Sequence, residues 1–416
     1  MNAIANLWKP YGLRSTPFFQ EELRPGDAEH PVKLFVGRTA ELERVLRRVI
    51  SDSSSRTIVQ GEPGLGKTSF INRVKADVAG RGIATYAQPI RIQSGTTAGT
   101  LVSDALRLLL RVRLSRGWTE DAGGFWSRTA RMLEGGELRG GSVTGFGVGG
   151  GITRSYSAPQ VPPDSLYEHL GEALERMRTE SGAGVLIHVN NLENLTEDDA
   201  EEAAALLRDL RDHLMLPGAH WVFAGAAGVD PVFRRFAQVD GIFPSPETLE
   251  PLEPSEIERL LRLRYDHLSI RGRGVVVPIE PSVAASLYGL YQGDLRNFLR
   301  LLADAAERGL GLGEVRPLEA EEVIRHTAPD YAAHLKERTG EGDFEHLRQL
   351  TAGTDEPHEF RVTDAARILE MKQSSASQLV ERLQRARVIR RVRNEGKSVY
   401  YRPVGAALVA FGRMPH

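Results

Sequence analysis

The chain of 416 residues contains one highly informative stretch, Gly61-Glu62-Pro63-Gly64-Leu65-Gly66-Lys67-Thr68. It follows the pattern G-x-x-x-x-G-K-[ST], in which glycines let backbone N–H groups close around phosphates, the lysine reaches the β- and γ-phosphates, and the Thr68 hydroxyl binds Mg²⁺. The run before it, 57–60, predicts a buried strand. The run after it, 68–78, predicts a helix whose N-terminal end faces the same anion. The sequence therefore predicts a P-loop that binds ATP, with Ser69 as a further contact.

Strands and helices are predicted to alternate on both sides of this loop. Helices are predicted at 41–49, 68–78, 101–114 and 200–214, and strands at 56–60, 83–90, 185–189 and 221–224. The run Val185 to Val189 is apolar except for one histidine, as expected of a central parallel strand covered on both faces. Such alternation predicts an α/β domain with a parallel sheet. We place this P-loop ATPase domain at residues 33–250.

Other parts of the chain have different patterns. Residues 1–32 contain four prolines and favour an irregular segment. After Pro254 the pattern is helical at 255–268, 281–291, 295–308 and 319–326, which predicts a helical lid domain at residues 251–335. Gly135 to Gly151 holds nine glycines, a density that argues against a helix. A hairpin that touches DNA or a neighbouring subunit and a plain surface loop both fit that stretch.

Composition narrows the class of protein. The chain has no cysteine, which excludes disulfides and thiolate zinc sites and is consistent with a reducing compartment. Its first residues lack the charged and apolar regions of a secretory signal, and no apolar run is long enough to span a bilayer. We therefore expect a cytoplasmic protein with no membrane partner.

The acidic residue that normally accompanies a P-loop, at the end of a second strand, is missing from its expected place. The strand 185–189 is followed by Asn190-Asn191-Leu192-Glu193, where an Asp-Glu pair would be expected. The uncharged Asn190 would bind Mg²⁺ only weakly, directly or through water, and Asn191 cannot act as a general base. Glu193 is the nearest carboxylate and our candidate catalytic residue. We expect ATP and Mg²⁺ binding with hydrolysis slower than about 1 s⁻¹.

The C-terminal residues 343–416 have a second functional pattern. Residues 363–370 predict a short helix with Thr363 as its N-cap, and Ser374 is predicted to cap a second helix after a turn. The buried face of the second helix is expected to contain Ala376, Leu379, Val380 and Leu383. Residues 388–393 and 398–402 alternate as the strands of a hairpin. Helix, turn, helix and hairpin in this order predict a winged-helix domain.

The charge of this domain favours a nucleic-acid partner. Residues 372–413 contain ten Lys or Arg and two Glu, a net charge of +8, whereas the whole chain carries −2. A basic helix suits the major groove and a basic hairpin suits phosphates, so we predict binding to double-stranded DNA that weakens with salt. The predicted DNA contacts are Ser375, Gln378, Arg382 and Arg385 on the helix and Arg391, Arg393 and Lys397 on the hairpin. A winged helix that contacts a protein is the alternative.

Taken together, these motifs resemble those of AAA+ ATPases, most of all the origin-recognition initiator ATPases of archaea and eukaryotes. Bacterial transposition-helper and ExeA-like ATPases share much of the same core. The resemblance covers about 380 residues, from Phe35 to the end. Residues 35–41 are similar to the F-[VI]-G-R-x-x-E element that lies against adenine, which implies Val36, Gly37 and Arg38 as nucleotide contacts. Residues 221–225 take the place of the sensor-1 strand, without a clear polar sensor.

The resemblance also implies roles for three arginines and self-association into an AAA+ oligomer. Gly293-Asp294-Leu295-Arg296 is similar to the G-D-x-R motif of the lid, whose arginine reaches the γ-phosphate. Arg234 and Arg235 stand where the family often places an arginine finger that acts on a neighbour's nucleotide. A solvated helix face is the alternative for these two residues.

Two functions of different classes fit the sequence. In the first, ATP closes the lid, subunits assemble, and the winged helices hold double-stranded DNA. In the second, the chain is a nucleotide-gated signalling or defence switch whose winged helix contacts a partner protein. The basic C-terminal cluster favours the first function. The asparagine pair fits both, because a slow ATPase makes a long-lived switch.

Arg296 gives a testable prediction. A fixed cation at the γ-phosphate binds ATP better than ADP, so ATP would draw the lid toward the P-loop domain. Arg296→Ala should therefore reduce the preference for ATP over ADP, measured by titration with the two nucleotides. Unchanged discrimination would remove Arg296 from the site.

Overall fold

The computed structural model describes residues 6–118, 124–138, 163–195, 200–227, 241–310, 315–396 and 398–414. Backbone contacts divide the chain into two compact units: a sheet unit, Glu22–Glu250, and a helical unit, Met1–Glu21 with Pro251–His416. Within the described residues, no helix is both long enough and apolar enough to cross a bilayer. Most of the glycine-rich stretch (139–151), Arg234, Arg235 and Lys397 lie outside the described residues.

The sheet unit is built on parallel strands. Its helices are α1 (Thr39–Ser51), α2 (Lys67–Ala79), α3 (Ala98–Ser115), α4 (Phe125–Leu138), α5 (Pro163–Ser181) and α6 (Ala200–Leu214). Its strands are β1 (Ser55–Gln60), β2 (Ala84–Thr85), β3 (Ile90–Arg91), β4 (Val185–Asn190), β5 (Ala219–Gly225) and β6 (Glu247–Thr248). Their order is β2-β4-β5-β1-β6, with β3 also paired to β4, and all these pairs are parallel. The predicted α/β class with a parallel sheet is confirmed.

The sheet separates two apolar cores. One core, which contains Ile187 and Trp221, lies on the side of α3 to α6. The other, which contains Leu186 and Val222, lies under α1 and α2. Neighbouring residues of one strand thus enter opposite cores, as the two-residue period of a strand requires. Cores on both faces explain why β4 and β5 are apolar along nearly their whole length.

The prediction of one strand over residues 83–90 is wrong. The structure has two short strands instead, β2 and β3, which pair with β4 at Val185–Leu186 and Val189–Asn190. Pro89 directly precedes β3 and has no N–H to give to a neighbouring strand, so the ladder is interrupted. The interruption leaves the carbonyl oxygen of Ala87 to accept a hydrogen bond from Nζ of Lys75, at 3.0 Å.

The helical unit contains eight described helices and one hairpin. The helices are α7 (Pro254–Leu268), α8 (Pro281–Tyr291), α9 (Leu295–Gly309), α10 (Ala320–Thr339), α11 (Glu341–Ala352), α12 (Val362–Ile368), α13 (Gln373–Arg385) and α14 (Gly405–Ala410). The antiparallel hairpin is β7 (Ile389–Glu395) with β8 (Ser398–Pro403). The helix predicted at 319–326 is too short, because α10 continues through Pro329 to Thr339. Leu335, in the added part, packs into the C-terminal core, and this burial outweighs the hydrogen bond that a proline cannot donate.

The N-terminal residues 6–21 are fixed to the helical unit by a buried arginine. The guanidinium of Arg264, in α7, donates to the carbonyl oxygens of Pro17 at 3.0 Å and Phe19 at 2.8 Å. It also lies 3.7 Å from the centre of the Phe19 ring. Burial lowers the pKa of Arg264 to about 9. Leu13 adds an antiparallel bridge to Ser269.

The C-terminal module, α11 to α14 with the hairpin, has helix, turn, helix and hairpin in the predicted order, but both predicted caps are wrong. Thr363 lies inside α12, and Ser374 lies inside α13. At the start of α12 the carboxylate of Asp364 accepts a hydrogen bond from the backbone N–H of Arg361, at 3.0 Å. This is the reach-back bond of a capping box, which satisfies the N–H of the N-cap residue, Arg361. The buried face of α13 is confirmed, since Ala376, Leu379, Val380 and Leu383 are all buried.

Candidate nucleotide-binding site

The P-loop connects β1 to α2. Strand β1 ends at Gln60 and α2 begins at Lys67. Gly64 and Gly66 have φ angles of 87° and 85°, in the left-handed region that glycine adopts without strain. Gly66 directly precedes α2, so the N–H groups of the first helical turn face the loop. This is the backbone arrangement that binds a phosphate at a helix N-terminus.

The side chain of Lys67 lies across the loop. Its Nζ donates to the carbonyl oxygens of Gly61 at 2.7 Å and Glu62 at 3.1 Å. These are the first two residues of the loop, and Lys67 is the first residue of the helix that follows it. A phosphate in the loop would meet the ammonium as a charge-assisted hydrogen-bond donor, which is stronger than a neutral one. The position fits the predicted role of Lys67, which stays a prediction.

Arg38 also lies beside the loop. It precedes α1 with a left-handed φ of 57°, and its Nη2 donates to the carbonyl oxygen of Glu250 at 3.3 Å. A Cβ placed on Gly66 would be 3.8 Å from Nη1 of Arg38. Val36 is buried, and Gly37 has a φ of 75°. Of the residues predicted to touch adenine, Arg38 is thus seen next to the phosphate loop.

The first turns of α2 are fixed by Leu23, near the start of the sheet unit. The backbone N–H of Leu23 donates to Oγ of Ser69 at 3.1 Å, and its carbonyl oxygen accepts from Nδ2 of Asn72 at 2.9 Å. Both contacts lie within the sheet unit. They hold the helix directly behind Thr68, the predicted source of a hydroxyl for Mg²⁺. Ser69, predicted as an ATP contact, therefore uses its oxygen to anchor the helix.

The ends of β1, β4 and β5 meet at the edge of the sheet where the P-loop begins, because the three strands are parallel. Asn190 is the last residue of β4, and Asn191 follows in a left-handed conformation, φ 65°, which asparagine tolerates. Oε2 of Glu193 accepts from the backbone N–H of Ala226 at 3.1 Å, just after β5. The structure thus brings the Glu193 carboxylate to this edge, and its catalytic role stays a prediction.

The side chain of Asn190 is held by a histidine. Nε2 of His188 lies 2.8 Å from Oδ1 of Asn190. His188 is 1% exposed. Burial, followed by the nearby charge of Lys75, lowers the pKa of His188 well below its ordinary value, so the imidazole is neutral at pH 7.

Lys75 is a second buried polar residue behind the site. It lies on the sheet-facing side of α2, 1% exposed, where burial lowers its pKa to about 7 and Glu22 partly opposes that shift. Lys75 and His188 are not among the site residues predicted from the sequence. The signals were present, because Lys75 follows Val74 on the apolar face of a predicted helix and His188 interrupts an apolar strand.

The residues at the strand end do not fit Mg²⁺ well. Across the described ranges, no group of three or more His, Cys, Asp or Glu residues could hold a metal ion. Thr68 offers a hydroxyl, but Oδ1 of Asn190, the other predicted ligand, already accepts the bond to His188. The oxygens at this edge that could bind Mg²⁺ are therefore the Thr68 hydroxyl and the Glu193 carboxylate, which already accepts from the N–H of Ala226, together with the phosphates that a nucleotide would bring.

Arg296 lies in the helical unit, on the first turn of α9, and is exposed. Asp294 caps this helix by accepting from the backbone N–H of Asn297 at 3.1 Å. The approach of Arg296 to a γ-phosphate stays a prediction. The predicted arginine finger, Arg234 or Arg235, lies outside the described residues.

The predicted DNA contacts that the structure describes are all exposed. They are Ser375, Gln378, Arg382 and Arg385 on α13 and Arg391 and Arg393 on β7.

The four arginines of this set have partners within the chain. Arg382 donates to both carboxylate oxygens of Asp343, at 2.7 and 2.8 Å, and lowers the pKa of that carboxyl group. Arg385 donates to Glu381 at 2.5 Å. On the hairpin, Arg393 donates to Glu359 at 2.8 Å and Arg391 to the amide oxygen of Asn394. The effective charge of this surface is therefore lower than the sequence count.

These features define a P-loop nucleotide-binding domain at the edge of a parallel sheet. A family model described as AAA ATPase domain matches residues 34–216. This part of the chain is similar to an AAA ATPase domain, and the resemblance to AAA+ ATPases is confirmed.

Solved structures resemble nearly the whole chain. The ORC2 protein of Aeropyrum pernix, in ADPNP–ADP complexes, is 14% identical, with 95% of this chain and 96% of that chain covered at a TM-score of 0.51. The Walker-type ATPase paby2304 of Pyrococcus abyssi is 13% identical, with 96% and 100% covered at a TM-score of 0.53. At such identities the likeness shows a shared fold. A search of curated proteins found no match.

Because the pKa of Lys75 is lowered in the folded chain, we expect the free energy of unfolding to depend on pH. Its pKa is about 7 in the folded chain and near 10.5 when unfolded, so between these values the unfolded chain binds more protons. The free energy of unfolding therefore rises with pH from about 7 toward 10, by about 2 kcal/mol between pH 7 and 9. Lys75→Met should lose this rise in urea unfolding at the two pH values. Lys33→Met, at an exposed lysine, is the control and should keep it. An equal pH dependence in Lys75→Met and the parent chain would show that Lys75 is charged when folded.

Proposed function

We propose that this chain is an ATP-binding AAA+ protein that couples its nucleotide state to oligomeric assembly on double-stranded DNA. The single observation that carries the nucleotide part is the Lys67 ammonium, held across the loop by the carbonyls of Gly61 and Glu62 in front of α2. Hydrolysis is slow in this proposal. The strand end carries Asn190 and Asn191, and Glu193 is the carboxylate left to orient a water molecule.

The C-terminal module supports the DNA part of the proposal. We assign it to the winged-helix class, with α12 and α13 as the helix pair and β7–β8 as the wing. Phe360 forms a single antiparallel bridge to Tyr401 of the wing. The exposed side of α13 presents Ser375 and Gln378, whose side chains suit base edges or phosphates. The arginines of α13 and the wing would exchange their internal carboxylates for phosphates on binding.

A second function is favoured by those same ion pairs. A surface whose arginines are already matched with carboxylates suits a protein partner as well as DNA, because a protein offers both signs of charge. The chain would then be a nucleotide-gated signalling or defence switch. The salt dependence of DNA binding separates the two functions, since phosphate contacts release counterions and protein contacts do not.

The proposal is tested by measuring three properties of the parent chain and its variants: the affinity for ATP, the binding of duplex DNA, and the mass of the assembly in solution. Lys67→Ala should weaken ATP binding by roughly 100-fold, because two charge-assisted contacts to phosphate are lost. Lys33→Ala, with the same loss of charge at an exposed position, is the control and should bind as the parent chain does. The parent chain should form a heavier assembly when ATP and DNA are added. In a mobility-shift titration it should bind duplex DNA more weakly as the salt concentration rises. Unchanged affinity and self-association in Lys67→Ala would end the nucleotide proposal, and the absence of any salt-sensitive shift would favour the switch.

Asp343 gives a sharper test of the DNA surface. Asp343→Asn releases Arg382 from its carboxylate partner and should strengthen duplex binding at low salt by about two- to fivefold, the range for an exposed ion pair. Glu345→Gln is the matched control, because it removes the bidentate partner of Arg348, an arginine that is not a predicted DNA contact. Equal gains in both variants would mean that only net charge matters and that Arg382 does not touch DNA.

A further inference from the structure

The side chain of Asn190 faces the helix that follows the P-loop. Leu186 of the same strand lies in the core under α1 and α2. Strand side chains alternate, so His188 and Asn190 point to that side as well. The influence of Lys75, on α2, upon His188 agrees with this placement.

The register of the sheet brings Asn190 level with the end of β1. Val189 pairs with Phe223, which places Asn190 beside Ala224. Ala224 in turn pairs with Val59, two residues before the P-loop. Neighbouring strands are about 4.8 Å apart, so Asn190 lies roughly 10 Å from β1 with only a methyl side chain between them. The Asn190 amide and a phosphate held in the loop would therefore lie at the same edge of the sheet.

The hydrogen bond from His188 fixes which end of the Asn190 amide is presented. Within the described parts of the chain, Nδ1 of His188 is buried and has no hydrogen-bond partner. A proton on Nδ1 would be an unpaired buried donor, and the amide oxygen of Asn190 can only accept a hydrogen bond. The proton therefore lies on Nε2, which donates to Oδ1 of Asn190. The amide NH₂ is then the group that remains for a ligand at the sheet edge.

An amide NH₂ and a magnesium ion have opposite requirements. Mg²⁺ takes oxygen ligands, most often carboxylates, and keeps several of its waters. The strand end supplies an oxygen that is already hydrogen-bonded, followed by the exposed Asn191, and the nearby Glu193 carboxylate already accepts from the backbone N–H of Ala226. A phosphate oxygen, by contrast, is an acceptor and matches an N–H donor. The side chains at this strand end therefore suit the phosphate itself better than a metal ion bound to it.

We propose that His188 is a positioning residue that holds Asn190 as a hydrogen-bond donor to the terminal phosphate of ATP, and that ATP binding by this chain depends little on Mg²⁺. The inference rests on the proposed binding of ATP in the P-loop and deepens it. The donor recognises a group that ADP lacks, so it makes the site selective for ATP. It supplies no base, in keeping with slow hydrolysis.

The first test compares ATP affinity in Mg²⁺ and in EDTA, with a fluorescent ATP analogue as the probe. In the parent chain, removal of the cation should change the affinity by less than about fivefold. Asn190→Asp restores a carboxylate at the strand end and should bind at least about tenfold more tightly with Mg²⁺ than in EDTA. A larger loss in the parent chain, or equal cation dependence in the two proteins, would overturn the proposal.

The second test measures the contribution of His188. The ratio of the affinity for ATP to the affinity for ADP is determined in EDTA for the parent chain and for variants at this position. His188→Leu lets the amide turn and should reduce that ratio by about tenfold, the weight of one hydrogen bond to a charged group. His188→Gln keeps an N–H near the position of Nε2 and should retain most of the ratio. His220→Leu is the control, because His220, near the start of β5, is another buried histidine, and its hydrogen bond goes to Ser55 at the start of β1.

The outcomes separate this inference from the function on which it rests. If the parent chain fails to bind ATP in either condition, the P-loop proposal fails and this inference falls with it. If the parent chain binds ATP but His188→Leu keeps the parent ratio, ATP binding stands and the positioning role is wrong. An equal loss in His188→Leu and His220→Leu also overturns it, because the effect would then be general.

Discussion

The parallel pairing of β4, β5 and β1 is the constraint on which the candidate site depends. It brings three strand ends to one edge, where the P-loop, Asn190 and the Glu193 carboxylate meet. The same pairing requires cover on both faces, so polar side chains buried in or against the sheet must find partners in the core. His188 and Lys75 meet that requirement by bonding to Asn190 and to the carbonyl of Ala87. The polar network behind the site is thus a consequence of the sheet.

The parts of the fold that could be predicted are those that local sequence encodes. The glycine loop identifies the end of β1 and the start of α2, because few other structures need that spacing of glycine and lysine. An apolar run flanked by polar residues identified β4, and a 3.6-residue period identified the buried face of α13. In each case the residues that carry the signal are neighbours in the chain. The class of fold follows from their order.

The parts that could not be predicted depend on contacts between distant residues. The length of α10 depends on the packing of Leu335 into the C-terminal core. The break between β2 and β3 depends on the pairing with β4, in which Pro89 cannot donate a hydrogen bond. The placement of Lys75 depends on a carbonyl 12 residues away, and that of Arg382 on a carboxylate 39 residues away. In the site, the sequence identified Asn190 as unusual. It could not show which end of the amide faces outward, because the neighbour that orients it has no motif.

The ion pairs of the C-terminal module bear on how the chain would hold DNA under the proposed function. The sequence count of +8 treats each arginine as available, but several are matched with carboxylates of the same chain. Each phosphate contact must then displace an internal partner, so one copy of the surface gains little per contact and binds weakly. Assembly changes this balance, because linked copies multiply affinity without any new contact. Because one copy of this surface binds DNA weakly, DNA binding depends on oligomerisation, and through oligomerisation on the bound nucleotide. This dependence is stronger than it would be for a basic surface whose arginines had no internal partners.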